Sequence, residues 1–185
     1  RLQNLMNRML TPHQMPVYKK TNIHEILERV RSLILSEFTS DINFIRDYDV
    51  SLPEFIVDRE KLIQAILNMA RNGAQAMRLN NQDNMQLSFV TRAERQIVFR
   101  KKKHATAIRI DIIDNGPGIK NELIDKIFFP LVTGNENGSG LGLSLAQNLI
   151  SLHQGMIDCH SVPGKTVFSI ILPIENNLMP TQEKK

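Results

Sequence analysis

Tryptophan is absent from the 185 residues, and aromatic residues make up only 5%. No stacking rings interleave with the basic residues, which makes nucleic-acid binding a poor reading. The single cysteine, Cys159, excludes an internal disulfide. It reads as a small buried hydrophobe in a chain suited to a reducing compartment. No Cys/His cluster has zinc-ligand spacing. No apolar run approaches the ~18 residues of a membrane-spanning helix, and neither a signal peptide nor a repeat is visible. Charge is nearly balanced at +4, and Arg100-Lys101-Lys102-Lys103 supplies much of the excess. That run reads as a solvated strand end, with docking of an acidic partner as the alternative.

What is present is enough for one globular domain: 42% of the residues are hydrophobic. The chain starts without Met, inside a helical pattern of Leu2, Leu5, Met6, Met9 and Leu10, and reads as a fragment of a longer protein. Pro12 and Pro16 mark residues 15–20 as a linker. Asn22 with Glu25 opens a helix whose apolar face is Ile23, Ile26, Leu27, Val30, Leu33 and Ile34. Ile42 to Tyr48 and Glu54 to Val57 read as strands. Asp58 is a good N-cap for a helix to about Met77. Met85 to Thr91 and Gln96 to Lys102 read as a hairpin turning at Thr91 to Arg95, followed by a strand from Ala105 to Asp114. Asn121 to Ile127 reads as a short helix. Leu141 to Leu152 reads as a second, with Leu141, Leu145, Leu149 and Leu152 on one face. Met156 to Ser161 and Thr166 to Leu172 are strands around Pro163-Gly164. Residues 175–185 are polar and expected to be disordered. This order predicts an α/β (α+β) sandwich, with helices on one face of a mixed sheet.

One stretch draws the rest together: Asp111-Ile112-Ile113-Asp114-Asn115-Gly116-Pro117-Gly118-Ile119. A buried strand ends on a carboxylate, and two glycines then let backbone approach a ligand closely. Alone it also fits a plain polar turn. Upstream, Asn68 and Asn72 are neighbours on one helix face, although asparagine is a poor helix former. They read either as satisfied by nearby loops or as a polar pocket wall. Between and after come Ile127-Phe128-Phe129-Pro130-Leu131 and Gly138-Ser139-Gly140-Leu141-Gly142-Leu143. Glycines before a helix present free N–H groups that bind anionic oxygens.

In this order the four motifs resemble the N, G1, F and G2 boxes of the Bergerat-type (GHKL) ATP site. Sensor histidine kinases, DNA gyrase B, heat-shock protein 90 and MutL share that site. The resemblance covers roughly residues 58 to 172 and implies a mainly antiparallel sheet. It implies that Asp114 accepts from the adenine amino group, with Gly116, Gly118 and Ile119 shaping the base pocket. Asn72 is the expected Mg2+ ligand, with Asn68 beside it. Arg71 either reaches a phosphate or makes a surface ion pair. Gly138, Ser139, Gly140, Leu141, Gly142 and Leu143 are expected at the phosphates, and Thr166 in the pocket. Residues Phe128 to Ser139 would form a mobile lid, with Phe128 and Phe129 anchoring its near end.

Hydrolysing members carry a glutamate where this chain has Asn68, and an amide cannot act as a base. That favours a kinase over a hydrolase. Further stretches, Ile45-Arg46-Asp47-Tyr48-Asp49 and Asn148-Leu149-Ile150 among them, are similar to sensor kinases of the nitrogen-regulation (NtrB) type. The resemblance implies a cytoplasmic homodimer using ATP and Mg2+ to phosphorylate its own histidine. That histidine would sit on a dimerisation domain of which residues 1–14 are the end. Residues 21–174 would be the catalytic domain. An NtrC-like response regulator would receive the phosphoryl group, and a PII-type signal protein would exert control. The family's acceptor motif is missing: His24-Glu25 continues Ile-Leu-Glu-Arg, so His24 reads as an exposed helix residue. His13, His104, His153 and His160 lack the context too. A GHKL ATPase and a nucleotide-gated protein-binding module stand as the alternatives.

Overall fold

A computed structural model of the chain describes residues 16–38, 42–99, 102–133 and 139–174. The expectations for residues 1–14, the 134–138 part of the lid including Gly138, and the 175–185 tail lie outside them. Seven strands and four helices follow one another: β1 (Tyr18–Thr21), α1 (Ile23–Glu37), β2 (Ile42–Asp47), β3 (Phe55–Asp58), α2 (Arg59–Leu79), β4 (Met85–Phe99), β5 (Lys102–Asp114), α3 (Asn121–Ile124), α4 (Gly142–Leu152), β6 (Met156–Val162) and β7 (Lys165–Pro173).

Five strands make the main sheet in the order β2-β4-β5-β7-β6. Only β2 and β4 pair in parallel, and the other three pairings are antiparallel. On β5, Ile108, Ile110, Ile112 and Asp114 face inward and are buried, while Arg109, Asp111 and Ile113 on the other face are half-buried. This period of two puts Asp114 on the core side of the sheet at the end of its central strand. The core behind it is continuous: Leu62, Ile66, Met69 and Met77 of α2, Ile26, Leu27 and Ile34 of α1, and Leu87, Phe89, Ile110 and Ile170 of the sheet are all fully buried. Helix α2 packs on β4, β5, α1 and α4, which makes it the hub of the helical layer.

Both predicted helix caps form. The Asn22 side chain accepts the His24 N–H (2.8 Å), and Asp58 Oδ1 accepts the Lys61 N–H (3.1 Å). Such a cap is worth about 1 kcal/mol. Asp58 does more than cap α2. Its Oδ2 accepts the Val17 N–H (3.0 Å), and its own N–H donates to His153 Nε2 (3.0 Å). Buried His153 then donates from Nδ1 to the Leu149 carbonyl (2.8 Å). Burial holds this imidazole below the usual histidine range, in its neutral form.

Several expectations are corrected. Tyr18 to Lys20, placed in the linker, form β1 together with Thr21 and pair antiparallel with β3. The predicted turn at Thr91 to Arg95 is the middle of one 15-residue strand, and the hairpin joins β4 to β5. There β4 runs on past the reach of β2, and beyond Glu94 and Ala107 the two strands run past β7 as well. Helix α3 is one turn, Asn121–Ile124. Of the leucines on one face of α4, Leu149 is buried together with Ala146 and Ile150, whereas Leu145 and Leu152 are 38% and 51% exposed. His24 is half-buried, stacked on Tyr48 with 4.7 Å between ring centroids and bonded to Thr91 Oγ1 at 3.1 Å.

Candidate functional site

A groove runs between the exposed face of α2 and the segment from Ser139 into α4. Asn68, Arg71, Asn72, Asp114, Gly118, Ile119, Ser139, Gly140, Leu141, Gly142, Leu143 and Thr166 all line it. Twelve residues spread over about 100 positions of sequence thus meet in one place. Gly116 and Phe128 are not among the lining residues.

Asp114 sits at one end, only 5% exposed. Burial pushes its carboxyl up to about 6, partly offset by a hydrogen bond from the Gly116 N–H. That bond is 3.0 Å long, onto Oδ1. Among the described residues no donor engages Oδ2, which lies against the bare Cα of Gly73: a Cβ there would come within 2.7 Å of it. A charged carboxylate with free lone pairs in a buried place costs folding energy, of order 3 kcal/mol for a shift of this size. A ligand that donates a hydrogen bond to it recovers that cost.

The glycine turn after Asp114 is fastened at many points. Asn115 accepts the Gln86 N–H (2.8 Å) and donates to the Asn84 carbonyl (2.8 Å). The Gly164 N–H donates to the Gly116 carbonyl (2.9 Å). Gly118 takes φ +83°, and a Cβ on it would meet the Val162 carbonyl at 2.9 Å. The Ile119 N–H donates to Ser161 Oγ (2.9 Å), and Ser161 Oγ lies 2.8 Å from Thr166 Oγ1. Gly73, Asn115 and Ser161 were not singled out as site residues from sequence. Their roles depend on partners 29 to 42 residues away, which no local spacing reveals.

The other end is built differently. Helix α4 starts at Gly142, and no side chain caps it. Its first N–H groups are left for a ligand, together with the positive end of the helix dipole. Gly140, at φ +65°, lies so close to the Leu131 backbone that a Cβ would meet it at 2.6 Å. The Leu131 N–H donates to the Gly140 carbonyl (3.0 Å), which joins the two ends of the lid segment. Gly142 stands beside Asn68, its ideal Cβ position 3.9 Å from Asn68 Oδ1. Asn68 Nδ2 is buried and has no partner among the described residues. A buried amide donor left unpaired costs roughly 1–3 kcal/mol, which again favours a ligand with acceptor oxygens.

Of the residues expected at the lid base and the phosphates, Phe129 sits otherwise, Phe128 packs where a lid anchor would, and Arg71 takes the ion-pair alternative. Phe128 packs edge-on against Phe168, 6.4 Å between centroids, under the lid base. Phe129 is 59% exposed and anchors nothing among the described residues. Arg71 is drawn back to Glu37 of α1 at 2.8 Å. Cys159 is half-buried, and burial pushes its thiol up to about 12. Among the described residues no three His, Cys, Asp or Glu side chains form a metal cluster.

Comparison with known proteins places this geometry. Residues 57–176 match the family model "Histidine kinase-, DNA gyrase B-, and HSP90-like ATPase". Over 174 residues the chain is 45% identical to the sensory histidine kinase/phosphatase NtrB of Vibrio alginolyticus, covering 94% of this chain and 49% of that protein. It is 37% identical to NtrB of Rhodobacter capsulatus over 160 residues, 86% of this chain and 44% of that one. The chain therefore spans about half the length of the curated relatives it matches. Among solved structures, the catalytic domain of histidine kinase ThkA superposes with a TM-score of 0.67 at 23% identity, covering 85% of this chain and 96% of that one. ThkA in complex with its response regulator TrrA gives 0.69 at 23% identity, over 95% of this chain and 48% of that one. These likenesses concern the fold. By its sequence over the whole site, the chain belongs to the histidine kinase-, DNA gyrase B- and HSP90-like ATPase family.

Proposed function

We propose that this chain is the ATP-binding catalytic part of a sensor histidine kinase of the nitrogen-regulation type. The carrying observation is a groove with a buried, ligand-hungry carboxylate at one end and an uncapped helix N-terminus at the other. Asp114 accepts from the adenine amino group, and the first N–H groups of α4 receive phosphate oxygens. Between them, Asn72 offers a hard amide oxygen, and Asn68 offers a buried donor that lacks a partner among the described residues. This donor set fits a Mg2+ that keeps waters and phosphate oxygens as its remaining ligands. When bound, Mg2+ offsets the charge of the transferring phosphoryl group. Asn68 has no basic atom with which to activate water, which turns the site away from hydrolysis.

In this reading the γ-phosphoryl group passes to a histidine on a dimerisation domain of the same protein, and ADP remains. An NtrC-like response regulator takes the phosphoryl group next, and a PII-type protein regulates the kinase. The setting is the cytoplasm, as a homodimer. Among the described residues no helix is long and apolar enough to cross a membrane. Similarity to NtrB over 94% of the chain supports these assignments.

The test is calorimetric titration with a non-hydrolysable ATP analogue, with and without magnesium, beside Asn72→Ala. Binding should strengthen with magnesium, and the variant should lose that gain. Wild-type protein and nucleotide are then mixed with a dimerisation domain carrying the histidine. Phosphate transfer is expected, and ATP turnover without any transfer would replace the kinase with an ATPase.

A further inference from the structure

We propose that Ser161 is a positioning residue for base recognition, an inference that rests on the nucleotide-site reading above. Asp114, Thr166 and Ser161 stand in one row across β5, β7 and β6: Asp114 is the register partner of Thr166, and Thr166 that of Ser161. Paired residues point to the same side of a sheet. Asp114 and Thr166 are both buried, at 5% and 3% exposed, and both line the groove.

The Ser161–Thr166 hydrogen bond can run in either direction, and in the proposed arrangement it runs from Ser161. Ser161 Oγ accepts the Ile119 N–H at 2.9 Å. A hydroxyl has one hydrogen to donate. Among the described residues, Thr166 Oγ1, 2.8 Å away, is the acceptor in reach of it. With Ser161 donating to Thr166, the Thr166 hydrogen is free to turn into the groove beside the Asp114 carboxylate. The base end then presents an acceptor and a donor side by side. An amidine edge, an exocyclic N–H next to a bare ring nitrogen, complements that pair. Adenine has such an edge. A 6-oxo purine, with a carbonyl and a ring N–H, presents the reverse.

Ser161 also sits where the two turns of the base end meet. The Gly164 N–H to Gly116 carbonyl bond (2.9 Å) holds them together independently of Ser161. Removing the Ser161 hydroxyl therefore randomises the Thr166 proton while a second bond keeps the turns in place.

The experiment compares ATP with 1-deaza-ATP, in which a C–H replaces ring nitrogen N1 and the amino group is kept. The wild-type chain should prefer ATP by about tenfold, the worth of one hydrogen bond. Ser161→Ala should bring the ratio close to one, and Ser161→Thr should restore it. Thr166→Val, which leaves the Ile119–Ser161 bond intact, should also bring it close to one. A Ser161→Ala protein that keeps the wild-type ratio overturns the proposal, even if both ligands bind more weakly. Should Ser161→Ala not fold, Thr166→Val with an unchanged ratio overturns it equally. Wild-type protein that binds both ligands alike also overturns it, leaving the nucleotide reading intact. Wild-type protein that binds neither defeats the nucleotide reading itself.

Discussion

The two ends of the groove are made by opposite means. At the base end, protein groups satisfy one another: Gly116 with Gly164 and Ile119 with Ser161 join the two turns, Ser161 meets Thr166, and Asn115 is held by Gln86. One carboxylate is left over. At the other end, polar groups lack partners among the described residues: the uncapped start of α4 and the buried amide nitrogen of Asn68. A flat aromatic base requires a slot of fixed shape, which only a braced turn keeps. Phosphates bring many acceptor oxygens, and donors left unpaired in the protein meet them. On the proposed reading, selectivity is therefore built in at one end, and binding energy is held in reserve at the other.

The sharpest way to break this comparison is Asp114→Asn. The amide still accepts the Gly116 N–H but turns a donor toward the ligand's donor. Nucleotide affinity should fall about 100-fold or more. The unliganded protein should gain stability toward urea at neutral pH, up to about 3 kcal/mol, because a buried charge is gone. Unchanged affinity would remove Asp114 from the site. The same carboxyl can be watched directly by its 13C shift. Its folded value near 6 lies above the usual 3.8. Its favourable share of stability is thus complete below about 3.8 and lost as pH rises through about 6. An inflection near 6 is expected without nucleotide, moving well down when nucleotide binds. His153 works in the opposite sense: its lowered value gives stability that is present above 6.5 and lost as pH falls.

Bracing at the base end is sharpened by two glycines with nearly equal φ. Gly118→Ala meets the Val162 backbone, whereas Gly164→Ala at φ +85° meets nothing within 4 Å. The first should cost about 3 kcal/mol in urea unfolding and the second about 1. Equal losses would mean that close contact between the turns contributes nothing. Hydrogen exchange separates the two ends more gently. Without nucleotide, the Gly116, Ile119 and Gly164 amides should exchange slowly and those of Gly142 and Leu143 fast. Nucleotide should slow the second group about tenfold or more. The smallest effect is expected from Glu37→Gln. This exposed pair with Arg71 is worth no more than about 1 kcal/mol. A rise in nucleotide affinity in that variant would show that Arg71, once released, turns to the phosphates.

Legibility from sequence followed the range of the interaction. Caps at Asn22 and Asp58, the glycine turns and the asparagine face of α2 are local patterns, and each stands where the sequence reading put it. Asp114 was readable because a strand's alternation ends on it. What escaped was set by distant partners. Gly73 reads as an ordinary close-packing position in a helix until Asp114, 41 residues on, is placed against it. Ser161 is one polar residue near a hairpin turn until Ile119 reaches it. The β4–β5 arm was misread because its polar residues carry no core periodicity. Phe129 and His24 failed in opposite directions. A large ring was expected inside, and a charge-capable ring outside.

The junction at Asp58 gives the domain a mechanical property. Asp58 ties together the backbone arriving at Val17, the start of α2 and, through His153, the end of α4. Those two helices are the walls of the groove. Force applied at residue 16 is thus delivered to both walls at one pivot, at the far end of each helix from the turns that grip the ligand. A twist or pull at that point acts on the groove as a hand acts on the handles of a pair of tongs.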